Sequence, residues 1–270
     1  MKKHKKLISD KEMSIIAMLE ELSLTQYTLI DSVKNGILEE YEGHHIGRSQ
    51  WDIIKMYREV IQPFHRIKIN KFGLGIYSFW SSNSISDEDD YRRYLLQELE
   101  RIIKTSDSLD SNSTKMETFN KASNTLNYLI NNDIKISDFV LLHGDLYNGN
   151  ILVNDDKYAT IDFEYVRFGP SLLEWAFLLF WDALIEADTE KRELLLSAVA
   201  RDIEIIKREK IVSINDIVLI FDLYLPIILC CVLHYCEEGR YEQSEIMEKM
   251  VIDFWNNKYH ELRKALYEKG

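Results

Sequence analysis

Glycine is missing from the first 35 residues, and the whole chain of 270 holds only ten glycines, three prolines and three cysteines. So few helix breakers exclude a turn-rich β architecture and suit a mostly helical body. Cys230, Cys231 and Cys236 share one apolar stretch with no partner cluster elsewhere, which points to buried structural thiols in a reducing compartment rather than a disulfide framework or a metal centre. An excess of basic charge is also lacking. With 45 acidic against 33 basic side chains the formal charge is −12. That balance argues against a nucleic-acid or anionic-membrane surface and is compatible with a small cationic substrate, although solubility alone also accounts for it. No apolar run reaches membrane-spanning length, and the basic start from Met1 to Lys6 is followed by Ser9-Asp10-Lys11-Glu12, which interrupts any signal-peptide core. Cytoplasm is the expected location.

The length allows one large domain or two lobes. Ser9 or Asp10 reads as the cap of a helix whose stripe is Ile15, Ile16, Met18, Leu19 and Leu22. Tyr27 to Val33 and Gly36 to Tyr41 read as strands joined at Lys34-Asn35. An amphipathic helix follows from Ser49 to about Ile67, with Pro63 expected to disturb its last turn. Further helices are expected over about 89–104, 115–131, 171–187, 189–208, 214–236 (with a kink at Pro226) and 241–268, separated by polar breaks at 81–90 and 105–114.

Between the helices over 115–131 and 171–187 lies the run His143-Gly144-Asp145-Leu146-Tyr147-Asn148-Gly149-Asn150, followed by Ile161-Asp162-Phe163-Glu164. An Asn stands five residues after Asp145, and a second Asp twelve residues beyond that. Phosphoryl transfer from a metal-bound nucleotide needs such a set: one carboxylate to orient the attacking hydroxyl, and an amide oxygen and a second carboxylate on the metal. Ile151-Leu152-Val153 and Tyr158 to Ile161 read as a hairpin turned at Asn154 to Lys157, which brings the three groups to one rim.

These residues resemble the aminoglycoside phosphotransferase and choline kinase family, a branch of the protein-kinase-like fold. Leu142 to Leu146 with Asn150-Ile151-Leu152 is similar to the family's catalytic loop, and Ile161 to Tyr165 to its metal-binding segment, with the Glu-Tyr ending leaning toward the choline and ethanolamine kinases. Phe64 to Ile67 resembles a leucine-histidine element of the large lobe, and Gly36 to Gly43 the hinge strand. The resemblance spans about residues 1–187. It implies an α+β, two-lobe fold with a reduced N-terminal lobe (1–43, ending in the hinge) and a large helical C-terminal lobe (44–270). It also implies that Asp145 orients the acceptor hydroxyl, His143 braces the loop, and Asn150 and Asp162 hold Mg²⁺. The carbonyl of Glu39 and the amide of Tyr41 would hold the base of ATP or GTP. Positioning by Asp145 is expected to outweigh proton abstraction, because a carboxylate at its ordinary pKa is a poor base. Glu174, before Trp175-Ala176, stands where the family has an Asp, and its extra methylene would shift the bracing of the catalytic loop.

The chain departs from the family at its start. Relatives carry a glycine-containing hairpin over the phosphates, then a strand whose Lys pairs with a Glu on the next helix. Here Glu12 is the candidate Glu, its partner is Lys2, Lys3 or Lys5, with Lys3 taken, and no phosphate-covering loop precedes it. Three explanations stand: lost first strands, a reduced small lobe that still binds nucleotide, or a degenerate relative.

Other features have plainer readings. Asp87 to Asp90 is a solvated helix start. Glu237-Glu238 near Tyr235 and Tyr241 is an exposed helix end, with an amine pocket as the alternative. Trp175, Phe180 and Trp181 are core, and His44-His45 lacks further metal ligands nearby. The expected function is an ATP- or GTP-dependent kinase acting on a hydroxyl of a small, amine-bearing molecule. The rival is a kinase-like protein that binds or builds without catalysing, such as a pseudokinase or a spore-coat-type relative.

Overall fold

The computed structural model describes residues 3–8, 28–33, 36–42, 44–68, 138–154, 156–225 and 244–260, with isolated positions within 15–19, 89–100, 120–131, 228–232 and 262–264. The expectations for the cysteines, for Glu12, for Glu237-Glu238 and for most of the helices over 89–131 lie outside these residues.

The first described element is a strand that the sequence does not announce. β1 (Lys3–Ile8) pairs antiparallel with β3 (Gly36–Glu42), and β2 (Thr28–Val33) pairs antiparallel on the other edge, in the order β1-β3-β2. Four of the six residues of Lys-His-Lys-Lys-Leu-Ile are basic, and β propensity gives them little reason to be extended. Pairing across β3, with Lys3 opposite Glu42 and Ile8 opposite Ile37, defines the strand instead.

Helix α1 comprises an α-helical turn Ile53–Met56, a π-helical turn Tyr57–Ile61 and a second α-helical turn Gln62–His65. It starts four residues later than the apolar spacing predicts, because the Asp52 carboxylate caps it, accepting from the amides of Ile54 and Lys55 at 3.1 Å each. Pro63 does not end it. The helix widens immediately ahead of the proline, where the missing N–H and the ring disturb the regular ladder.

Strand β4 (Val140–Leu142), the hairpin β5 (Ile151–Asn154) and β6 (Lys157–Thr160), and β7 (Arg167–Gly169) follow. The β5–β6 hairpin has the expected place, and its register sets Ile151 opposite Thr160 and Asn154 opposite Lys157. The pairing of β4 with β7 was not anticipated. Its strands are three residues each, too short for a period to register. α1 holds the hairpin: the Tyr158 amide donates to Glu59 at 2.8 Å, the Asp52 amide donates to the Tyr158 hydroxyl at 2.8 Å, and Lys55 pairs with Asp156 at 2.6 Å.

The core of the large lobe is α2 (Ser171–Ile185), of whose 15 residues eleven are buried. A helix apolar nearly all round belongs at the centre, and α2 packs against α3 (Thr189–Arg208), α4 (Ile214–Leu219, continued by the π turn Ile220–Tyr224) and α5 (Ser244–Asp253, continued by the π turn Phe254–Tyr259). Phe180 stands edge-on to Phe221 with centroids 5.2 Å apart and lies 6.4 Å from Phe254. Trp175, Phe180 and Trp181 are core, as expected. No helix among the described residues is long and apolar enough to cross a membrane.

Candidate active site

Two short ladders frame the loop that carries the motif. β4 delivers the chain to His143, and β5 takes it away at Ile151. Between them Gly144 has φ 80°, a left-handed turn where a side chain would be strained. Asn150 is buried, and its Nδ2 donates to both the backbone carbonyl and Oδ2 of Asp145 at 2.8 Å each. The Ile161 amide donates to the Asn150 carbonyl at 3.0 Å, which brings the next residue, Asp162, to the same rim. Asp162 is left-handed, with φ 66° and ψ 69°. Asp tolerates that region better than most residues, and such backbone concentrates at functional positions. Asp145, Asn150 and Asp162 are therefore gathered as the spacing required.

The electrostatics depart from the expectation of an ordinary carboxylate. Burial raises Asp145 to about 6, with the Asn150 hydrogen bond opposing and the charges of Asp162, Glu164 and Asp182 adding to the rise. Tyr147 is half-buried beside the same acids. Burial and the charges of Asp145, Asp182 and Asp162 push its phenol up. Its ring lies over Gly149, where an added Cβ would meet Tyr147 Cε2 at 2.5 Å.

His143 and Glu174 hold the loop from beneath. The His143 ring packs against Phe64 and Phe163, with centroids 6.2 and 5.3 Å away, and its Nε2 is 2.9 Å from the Ile161 carbonyl. Burial lowers it to about 4, so the ring is neutral and Nε2–H is the donor. The Glu174 carboxylate accepts from the His143 amide at 2.6 Å and the Gly144 amide at 3.3 Å. Its additional methylene therefore still spans both amides.

Four contributors were missed in the sequence. Asp182 accepts from the Asn148 amide at 3.1 Å, inside the catalytic loop. Arg48, 3 % exposed, lies 3.8 Å from Asp182 and 3.3 Å from the fully buried Asp202, and its guanidinium also donates to the Leu178 carbonyl. Arg201 completes the group, pairing with Asp202 at 2.7 Å. A signal for Asp182 was present: with Glu174 it is one of two charged residues in α2, eight positions apart. Nothing in the sequence marked Arg48.

The nucleotide-side residues are less defined. Lys3 opens β1 opposite Glu42, and Glu12 lies outside the described residues. Glu39 is flanked on both edges of β3, by Lys6 and by Leu29, which leaves its carbonyl little access to a ligand. Among the described residues, Tyr41 has a strand neighbour on the β1 edge, His4. His44 is occupied in a backbone bridge to Val153, and His45 Nδ1 lies 3.1 Å from the Ile151 carbonyl.

The oxygen set suits a hard divalent cation. With Nδ2 of Asn150 committed to Asp145, its Oδ1 faces away from that carboxylate, and the Asp162 carboxylate adds a charged donor. Mg²⁺ is bound through one or two such groups, with waters and phosphates completing the shell.

The sequence pattern of the phosphotransferase enzyme family matches residues 64–202, just over half of the chain. The chain belongs to that family. Solved structures agree in fold. An aminoglycoside phosphotransferase from Alicyclobacillus acidocaldarius is 12 % identical over 99 % of this chain and 86 % of its own, with a TM-score of 0.55. A choline kinase from Cryptosporidium parvum is 14 % identical over 96 % of this chain and 81 % of its own, with a TM-score of 0.53. An amicoumacin kinase solved with AMP-PNP and Ca²⁺ is 14 % identical over 99 % and 82 %, with a TM-score of 0.53. No curated protein matches the chain by sequence. The fold is the kinase-like two-lobe α+β architecture with a reduced N-terminal lobe and a large helical C-terminal lobe, and the chain carries its site motif within the matched span.

Proposed function

We propose that this phosphotransferase moves the terminal phosphoryl group of ATP or GTP to a hydroxyl of a small, amine-bearing molecule of the aminoglycoside or choline class. The observation that carries the reading is the junction of Asp145 and Asn150 by a 2.8 Å hydrogen bond, with Asp162 on the same rim. Asp145 orients the acceptor hydroxyl and takes its proton, while Asn150 and Asp162 would hold Mg²⁺. A bound metal ion neutralises the charge shared by the transferring and leaving oxygens. His143 and Glu174 fix the loop, so that Asp145 is presented in one geometry. Residues 1–43 form the nucleotide-covering lobe and 44–270 the acceptor lobe. By the family resemblance, the Tyr41 amide is assigned to the base and Lys3 with Glu12 to the phosphates. The amine preference rests on the acids Asp145, Asp162, Glu164 and Asp182, with the Tyr147 ring among them as a cation–π surface.

The test is nucleotide consumption against a panel of amino alcohols and aminoglycosides, with thermal shift alongside. Mg-ATP or Mg-GTP at a hundred times its dissociation constant stabilises the fold by about 2.7 kcal/mol. Asp145→Asn removes turnover by roughly two to four orders of magnitude and keeps the shift. Asp162→Asn loses the metal-dependent part of the shift. Unchanged turnover in Asp145→Asn overturns the assignment of roles, and no shift with either nucleotide overturns the kinase reading. A full shift without turnover of any acceptor favours the non-catalytic rival.

A further inference from the structure

A cavity of about 280 Å³ lies between α3 and α5, and none of Asp145, Asn150 and Asp162 lines it. Its apolar lining is Leu196 of α3 with Met250 and Phe254 of α5 and its continuation, and exposed Ile246 at the mouth. Arg192 also lines it, and this residue is the anomaly. It is 4 % exposed, and its one hydrogen bond goes from Nη2 to the Met250 carbonyl. Among the described residues, no carboxylate pairs with it.

The two nearby acids do not supply the missing partner. Glu193 is engaged by Lys258 at 3.3 Å, and Asp253 accepts from the Asn257 amide at 2.6 Å. Both acids line the cavity and act on Arg192 only through space. Lys249 stands exposed at the rim, with no ion pair among the described residues. A buried guanidinium normally has a paired anion, because desolvating its charge is costly. Its planar fork matches the two oxygens of a carboxylate.

We propose that this cavity binds a small amphipathic anion, an organic carboxylate whose head pairs with Arg192 beneath Lys249 and whose apolar tail lies on Leu196, Ile246, Met250 and Phe254. The volume is close to the lower end of small-molecule sites, roughly 300–1,000 Å³, so the tail is short. The site is separate from the phosphoryl-transfer centre, and neither needs the other.

Hexanoate is the probe, with hexylammonium and inorganic phosphate as comparators, on the full chain labelled with ¹³C-methyl methionine. The expected result is a saturable shift of the Met250 methyl resonance (assigned with Met250→Leu) and a rise in Tm, with a Kd on the order of 1 mM. Hexylammonium and phosphate give neither. Arg192→Met, checked for folding by circular dichroism, loses the response. Lys249→Glu, at an exposed position that leaves the fold intact, weakens it severalfold. The proposal is overturned by any of three results: no Met250 shift with hexanoate at ten times that concentration, the same shift with hexylammonium, or an undiminished shift in both variants. Phosphate binding as tightly as hexanoate overturns the carboxylate-and-tail assignment.

Discussion

Glu174 is buried beneath the catalytic loop, and burial lifts it to about 8 despite the amides of His143 and Gly144, which pull it down. A raised folded-state pKa means that the native state holds the proton longer than the unfolded chain, so stability falls as pH rises from the unfolded value toward the folded one. Between pH 6.5 and 8 the expected loss is about 2 kcal/mol, from about 1.4 kcal/mol per pH unit. Urea titrations of Glu174→Gln should be flat over that interval. His143, lowered to about 4, acts in the opposite direction and only below its unfolded value of 6.5, so it does not mask the effect. Gly149 gives a second prediction at this scale. Gly149→Ala displaces the Tyr147 ring, whose contacted atoms are the far end of a side chain able to swing. Stability should change by less than about 1 kcal/mol. KM for an amine-bearing acceptor should rise, and Tyr147→Ala should reproduce that rise.

Among the elements, the tie between α2, α3 and the segment after β3 depends on Arg48. Its guanidinium reaches Asp182, Asp202 and the Leu178 carbonyl, and it stacks 4.7 Å from the Trp51 ring centroid. Removing one partner of a buried ion pair strands the other, so Arg48→Met should cost about 3–5 kcal/mol by chemical denaturation. Adding Asp202→Leu should recover part of that loss. Asp182→Ala should lower kcat more than stability, because the Asn148 amide loses its acceptor within the loop that presents Asp145 and Asn150. Helix α3 is legible in the sequence because local terms define it: an Asp188 cap on the Lys191 amide and a regular apolar face. The widened turns Tyr57–Ile61 and Ile220–Tyr224 are not, although each lies just ahead of a proline, Pro63 and Pro226. A proline announces a disturbance, and the surrounding packing decides whether the helix breaks or widens.

For the whole molecule, a charge of −12 and the acids gathered around Asp145 favour a cationic acceptor over long range. KM for such an acceptor should rise severalfold as ionic strength goes from about 0.02 to 0.2 M, since the Debye length falls below roughly 10 Å. A neutral analogue should show no such dependence, and steady-state kinetics at the two salt concentrations separates the cases. The apolar helix α2 sits where a two-lobe fold needs its centre, with Glu174 and Asp182 turned to the loop above it.

The sequence alone determined the family, the presence and spacing of Asp145, Asn150 and Asp162, the β5–β6 hairpin and the capped helix α3. Each rests on contiguous residues, and local chemistry suffices to read them. Only the tertiary structure decided β1, the β4–β7 pairing, the Arg48–Asp182–Asp202 group and the unpaired Arg192. These depend on partners 25 to 154 positions away, or on the lack of one, and no local period or propensity encodes such distances. The same limit applies to the acceptor carboxylate. Its position in the motif is local, but its raised pKa comes from burial and from charges that the fold alone brings near.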